Sequence, residues 1–391
     1  LPAASAQEAA AEPAPAPFVV GIGRSIHDPE AATAAMAELG VQSVRLDAPW
    51  KSIETAPGRY AIPAWLDAAV DDANARGIEP LLILAYGHPA YGDDKPRNVA
   101  AITAFARYAV FVTEHFQGRV RYFDVWNEWD AHTGKTTPGT PDDYVALARR
   151  VYPAIKSANA GAVVLSGGIA TLRPEDGWID RFIALGGLQF VDGLSLHPYN
   201  FQQPSAREQP RANTPEAAIA TLERVHSLSV AAGRPVPIYV TEIGYPTYDG
   251  RGGVSRDVAA AYLARFMLLA STRPYIAGTW WYCLRDQGGD PKNKEHNFGV
   301  LDSKLERKAA ADALRAVASL MTEVQRFRVD GTDADADQDR DGAERRVLAT
   351  RADGSELAFA WNANETDTRL LGELQAAAAA DAHAVSPRAR R

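Results

Sequence analysis

From Phe18 to about residue 320 the chain alternates short aliphatic, β-branched and aromatic runs with longer Ala-rich stretches of helical character. Eight of the short runs read as strands, over 18–22, 41–46, 79–85, 119–126, 162–166, 191–196, 236–241 and 276–284. Helices are expected between and after them, over 29–39, 63–76, 98–116, 141–159, 176–186, 214–232, 255–272 and 307–320. Several begin with a polar cap or an early proline, as at Thr214-Pro215. Buried apolar strands alternating with helices make a parallel sheet, and eight is the number that closes an α/β (β/α)8 TIM barrel.

Past residue 320 the period changes. Val324–Val329, Arg346–Arg351 and Leu357–Trp361 alternate along the chain, and Asp353-Gly354 is a hairpin signal, so a small C-terminal β appendage is expected over 321–370. The barrel then occupies 18–320. Residues 1–17, rich in Ala, Pro and Glu, read as a flexible leader, and 371–391 as a frayed tail. Ala4-Ser5-Ala6 has the form of a signal-peptidase site, so the leader reads as the remnant of an export signal and the protein as periplasmic or extracellular.

Composition narrows the classes. A chain of 391 residues with 46% apolar and 23% charged positions fits a soluble globular protein with one large core. Its 41 basic against 49 acidic residues leave a net charge of -8, with no basic field for a nucleic acid. No apolar run reaches the ~18 residues of a membrane span. The single cysteine, Cys283, sits in an apolar run and reads as a small buried hydrophobe. A monomer is expected.

The chemistry lies where two strands end. Tyr122-Phe123-Asp124-Val125-Trp126 runs into Asn127-Glu128, and Ile238-Tyr239-Val240-Thr241 runs into Glu242. Either glutamate alone could be the partner of a nearby arginine or the start of a loop. Together they suggest two carboxylates facing each other at the carboxyl ends of barrel strands, where such folds carry their sites. Glycoside hydrolysis needs such a pair, one to protonate the leaving oxygen and one to attack or stabilise the anomeric carbon. In a regular strand Asn127 would point away from Glu128, so this strand end must twist or loop.

Other strand ends carry further candidates. Arg45, which closes the second strand, reads by itself as half of a structural ion pair with Asp47 or Asp124. His197 and Tyr199, two apart with Pro198 between them, share one face of an extended segment. Tyr86 and His88 repeat the pairing of ring and imidazole, and either line a sugar subsite or leave His88 as a loop cap. Only one of Trp280 and Trp281 can face inward, and Trp281 is the expected one. Trp50, Trp129, Tyr245 and Tyr248 extend the cleft or fill the core.

Trp126-Asn127-Glu128 followed by Thr241-Glu242 resembles the clan of retaining glycoside hydrolases on (β/α)8 barrels, and within it family 39 and related bacterial exopolysaccharide hydrolases. The likeness covers about residues 18–320 in pattern. It implies that Glu128 is the acid/base and Glu242 the nucleophile, that Asn127 donates to the sugar 2-hydroxyl, and that Arg45, His197 and Tyr199 serve the nucleophile and the sugar. It also implies a Trp floor on the eighth strand. Glu128 should then begin protonated and Glu242 ionised. The expected function is a retaining O-glycosidase cutting within a β-linked polysaccharide such as an exopolysaccharide, with exo-acting xylosidase or glucosidase action as the enzymatic alternative and a non-catalytic glycan-binding barrel as the other.

No cofactor or metal is expected. Asp337–Gly342 opens like a calcium loop, but its twelfth position is Leu348 rather than Glu, so a solvated acidic hairpin is preferred. Gly21-Ile22-Gly23 lacks the remaining glycine of a nucleotide loop.

Overall fold

The computed structural model describes residues 18–23, 29–201, 213–330, 344–363 and 367–384. Eight strands, β1 Val19–Gly23, β2 Ser43–Pro49, β3 Glu79–Ala85, β4 Tyr122–Val125, β5 Val163–Leu165, β6 Leu194–Leu196, β7 Ile238–Ile243 and β8 Ile276–Trp281, form one parallel sheet in the order β5-β4-β3-β2-β1-β8-β7-β6. Bridges Leu165↔Gly193 and Ile169↔Leu196 join its two edges. The expected barrel is present. Its outer shell is α1 Pro29–Glu38, α2 Ala64–Ala75, α3 Val99–His115, α4 Pro141–Ala158, α5 Trp178–Ala184, α6 Pro215–Ala231, α7 Arg256–Ser271 and α8 Ala309–Glu323.

The alternation of side chains along each strand layers the barrel interior. Leu81, Tyr122, Leu165, Tyr239 and Trp280 pack into an apolar plug, and the Trp280 indole N–H donates to Ser43 Oγ at 2.9 Å. Two residues past Tyr122 and Tyr239 come Asp124 and Thr241, and two past Ser43 on β2 comes Arg45, all buried and polar. The barrel is therefore dry below and hydrogen-bonded above, which places polar chemistry at the carboxyl ends of its strands.

Beyond the barrel, β9 Val324–Val329, β10 Glu344–Arg351 and β11 Glu356–Asn362 form the expected antiparallel appendage. It is fused to the barrel, because α8 runs directly into β9. Arg265 of α7, fully buried, donates to both carboxylate oxygens of Glu216 at 3.0 and 2.6 Å and to the Ala363 carbonyl at 3.2 Å. The Trp361 indole donates to the same Glu216 at 2.8 Å.

The tail expected over 371–391 is corrected as far as residue 384, and 385–391 lie outside the described residues. Arg369–Ala384 is a helix, α9, whose Leu370 and Leu374 are buried in the core. Alanine is the strongest helix former, so an Ala run behind two leucines four apart is an amphipathic helix with a surface to dock on. The leader over 1–17 and the Asp337–Gly342 loop lie outside the described residues, while Leu348 is a paired residue of β10. No described helix is long and apolar enough to cross a membrane.

Candidate active site

β4 stops at Val125, and Trp126 and Glu128 both take positive φ, 82° and 50°. Such angles cost non-glycine residues of order 1–3 kcal/mol each and persist only where the surroundings enforce them. Here the Trp126 N–H donates to Leu84 O at 2.9 Å and the Glu128 N–H to Gly167 O at 2.8 Å. The double bend is the twist that the alternation demanded, and it turns Asn127 and Glu128 into the same cavity.

Glu242 reaches that cavity by a different device. In β7 the residues Val240 and Ile243 pair with Thr279 and Trp281 of β8, so Thr241 and Glu242 together oppose the single residue Trp280. This is a β-bulge, which re-aims a side chain at the cost of a ladder position. Thr241 faces inward by alternation, and the extra residue brings Glu242 inward after it.

A guanidinium ties the two strand ends together. Arg45 bonds Glu242 through one nitrogen, while its other terminal nitrogen donates to Asp124 at 3.1 Å and to Asn127 Oδ1 at 2.7 Å. Both alternatives for Arg45 are thus realised, with Asp124 and not Asp47 as its structural partner. The Asn127 amide donates one N–H to Tyr86 Oη at 3.1 Å and keeps a second for a ligand. Tyr199 donates its hydroxyl to Glu242 at 3.2 Å.

His197 links the glutamates to the barrel interior. Its Nδ1 lies 2.9 Å from Glu128 and its Nε2 3.0 Å from the Thr241 hydroxyl. Ser195 gives its one proton to Asp124 at 2.8 Å, so in the 2.5 Å contact between Ser195 and Thr241 the threonine must donate. Thr241 then has only a lone pair for His197. The imidazole therefore carries its proton on Nε2 and presents a bare Nδ1 to Glu128.

Burial shapes the protonation of this group. Glu128 is pushed up to about 7 by desolvation, which outweighs the opposing field of Arg45. His197 is driven down to about 4 by the same cause, so the imidazole is neutral near pH 7. Ligating atoms of Glu128, His197 and Glu242 lie within 4.8 Å of one another. The trio has metal-binding chemistry, but the Arg45 cation already sits on Glu242, and a metal ion there would meet like charge.

Arg45, Tyr86, Asn127, Glu128, His197, Tyr199 and Glu242 thus converge. His88 does not: its Nε2 lies 2.7 Å from Glu54 O and its Nδ1 accepts from the Ala90 N–H at 3.1 Å, which makes it the loop cap of the alternative reading. The expectation for β8 is reversed. Trp280 faces the barrel interior but lies in the apolar plug, too deep for a sugar, and Trp281 faces the helices, with its ring centroid 6.2 Å from that of Tyr245. The next inward position past the end of β8 is half-buried Tyr282, whose phenol is raised by burial first and then by the charges of Cys283 and Glu242. Counting inward positions by twos from Trp280 would have found it. Trp50, Trp129 and Tyr245 are buried core residues, and Tyr248 is half-buried with its hydroxyl on the Arg251 carbonyl. Ser195 is an inward polar residue with no signal in the sequence, while Asp47 and Thr241 carry one only as a partner for Arg45 and as the lead-in to Glu242.

No protein-family model matches the chain, and no curated protein does. Solved structures do match. The chain is similar to a family 39 glycoside hydrolase from the gut symbiont Bacteroides cellulosilyticus WH2, with 26% identity and a TM-score of 0.73 over 89% of this chain and 71% of that one. It shares its fold with a monomeric β-xylosidase from Caulobacter crescentus CB15, at 18% identity and TM-score 0.61 over 86% of this chain and 74% of that one. It also shares it with a GH5_18 protein from Streptomyces cattleya in complex with GlcNAc, at 17% identity and TM-score 0.62 over 79% and 81%. Barrel, site and likeness define the class: the protein is a glycoside hydrolase on a (β/α)8 scaffold. Within that class its similarity runs to families 39 and 5, with the family 39 likeness carrying the 26% identity.

Proposed function

We propose that the protein is a retaining O-glycoside hydrolase with Glu242 as nucleophile and Glu128 as acid/base. The observation that carries this is the convergence of the two carboxylates on one cavity, with an oxygen of each within 4.8 Å of the other, an approach that fits the ~5–5.5 Å pair of a retaining enzyme. Glu242, its charge countered by Arg45, attacks the anomeric carbon while the bond to the leaving oxygen breaks and Glu128 passes that oxygen its proton. The ester then yields to water. Glu128, now a carboxylate, takes the water's proton, hydroxide adds to the anomeric carbon, and the Glu242 carboxylate is restored. Asn127 offers its remaining N–H to the sugar 2-hydroxyl, a bond that strengthens as positive charge grows on the ring.

The substrate proposed is a β-linked polysaccharide cut internally, such as an exopolysaccharide, by a monomeric enzyme exported from the cell. Export rests on the Ala4-Ser5-Ala6 signature alone. Exo-action is the second reading, because similar folds include the Caulobacter β-xylosidase and an exo-β-1,4-mannosidase from an Opitutaceae bacterium. A screen of the purified protein against plant and bacterial polysaccharides, with product sizing and NMR of the first-formed anomer, tests both. Oligomers of mixed length support internal cutting, monosaccharide alone the exo reading, and an inverted first product overturns the mechanism.

A further inference from the structure

We propose that Asp47 binds the sugar unit at the cleavage point by accepting hydrogen bonds from its hydroxyls, and that the site thereby favours uncharged sugar units over uronic acids. The inference rests on the glycosidase reading and names its substrate class. Ser43, Arg45 and Asp47 occupy successive inward positions of β2. Ser43 is bonded to Trp280 in the plug, and Arg45 is bonded to Glu242, Asp124 and Asn127. Asp47, the last of the three and the one nearest the strand's carboxyl end, is half-buried and has no hydrogen-bond or ion-pair partner among the described residues.

Charge balance does not explain it. Arg45 already has two carboxylates in contact, so a third is not needed to neutralise it. Asp47 is held in the strand: its register partner is Ile83 of β3, and the next carbonyl, of Ala48, accepts from the buried Tyr108 hydroxyl. Burial raises the phenol of Tyr86 first, and the charges of Asp47, Glu242 and Glu128 add to it, while Tyr86 Oη accepts from the Asn127 amide at 3.1 Å within the site. Burial raises Asp47 itself while Arg45 pulls it down.

Among the described residues nothing donates to this half-buried carboxylate, and a ligand that supplies O–H groups restores the hydrogen bonds that burial removed. Two neighbouring sugar hydroxyls match its two oxygens. A uronate would instead set a further negative charge beside Asp47 and Glu242, the kind of like-charge contact that rejects a ligand.

The test compares wild type, Asp47→Asn, Asp47→Ala and Glu242→Gln. Turnover is read with 4-nitrophenyl β-xyloside, β-glucoside, β-mannoside and β-glucuronide, and binding by ligand-observed NMR with xylobiose, cellobiose, mannobiose and cellobiouronic acid. Wild type should prefer its best neutral substrate to the glucuronide by about 100-fold or more. Asp47→Asn, with an unchanged melting temperature, should lose about 10- to 100-fold in kcat/KM on neutral substrates and narrow that gap, with Asp47→Ala losing at least as much. Neutral substrates cleaved equally well by wild type and Asp47→Asn, a wild-type preference for glucuronide, or no binding of any neutral disaccharide would overturn the proposal. If no substrate is turned over while neutral disaccharides bind wild type and Glu242→Gln but not Asp47→Asn, the glycosidase reading fails and the role of Asp47 stands. Turnover lost in Glu242→Gln but indifferent to Asp47 keeps the glycosidase reading and overturns the role of Asp47.

Discussion

His197 stands between Glu128 and Thr241 with its lone pair toward the glutamate, at 2.9 Å, and its proton toward the hydroxyl, at 3.0 Å. An ionised Glu128 finds no donor on that side, whereas a protonated one finds an acceptor, so the hydrogen-bond chain from Asp124 adds to burial in favouring the acid form. Thr241→Val breaks the chain and lets the imidazole move its proton to Nδ1. The alkaline limb of the pH–rate profile should then fall by about 0.5–1 unit, and a limb that stays in place in a folded variant would refute the assigned tautomer.

Burial pushes Glu128 up to about 7, and its proposed role as the acid requires its proton. Activity should be full below that value and decline as pH rises through it, approaching a tenfold loss in kcat/KM per unit. Profiles of kcat/KM between pH 5 and 9 measure it. A rate flat across pH 6–8.5 would remove Glu128 from the acid role.

The two glutamates should fail differently. Glu242→Ala loses the covalent step, a fall of about 10⁴-fold or more on every substrate. Glu128→Ala should lose about 10²–10⁴-fold on natural linkages but keep fast glycosylation of aryl glycosides with good leaving groups. A pre-steady-state burst with a dinitrophenyl glycoside distinguishes them, and full activity in Glu242→Ala would be fatal to the assignment.

His197 also links stability to acid. Its folded value of about 4 lies below the 6.5 of an ordinary histidine, so the unfolded chain takes up the proton first. The neutral imidazole's contribution is complete above about 6.5 and is lost as pH falls toward 4, in all about 3 kcal/mol. Urea unfolding at pH 7.5, 5.5 and 4.5 should show this slope in wild type and a shallower one in His197→Gln. Equal slopes would mean that another group sets the acid limit.

Glu216 holds the appendage to the barrel through Arg265 and Trp361. Glu216→Ala takes the carboxylate from a buried guanidinium, a loss of about 3–5 kcal/mol. Calorimetry should show either a single transition at much lower temperature or early melting of the appendage. An unchanged melting temperature would show that the contact carries no stability.

The barrel was legible because its strands and helices differ in period, and Glu128 and Glu242 were legible because a charge at the end of an apolar run is out of place. What escaped depended on departures from regular backbone. Nothing in Val240-Thr241-Glu242 announces the bulge that brings Glu242 inward, since a bulge is set by pairing with β8. The choice between Trp280 and Trp281 turned on how deep the plug sits, which requires the register of neighbouring strands. His88 resembles a companion of Tyr86 in sequence, but its two nitrogens are occupied by the backbone. Leu370 and Leu374 carry a helical signal, which the composition of the alanine run behind them masks.

The plug of Leu81, Tyr122, Leu165, Tyr239 and Trp280 seals the cavity from beneath, leaving the mouth at the strands' carboxyl ends as the way in. In a two-step reaction the water that frees the sugar must enter by the route the first product leaves. Under the proposed two-step mechanism any alcohol waiting at that doorway competes with it, so sugar transfer to oligosaccharide acceptors is the expected consequence at high concentration.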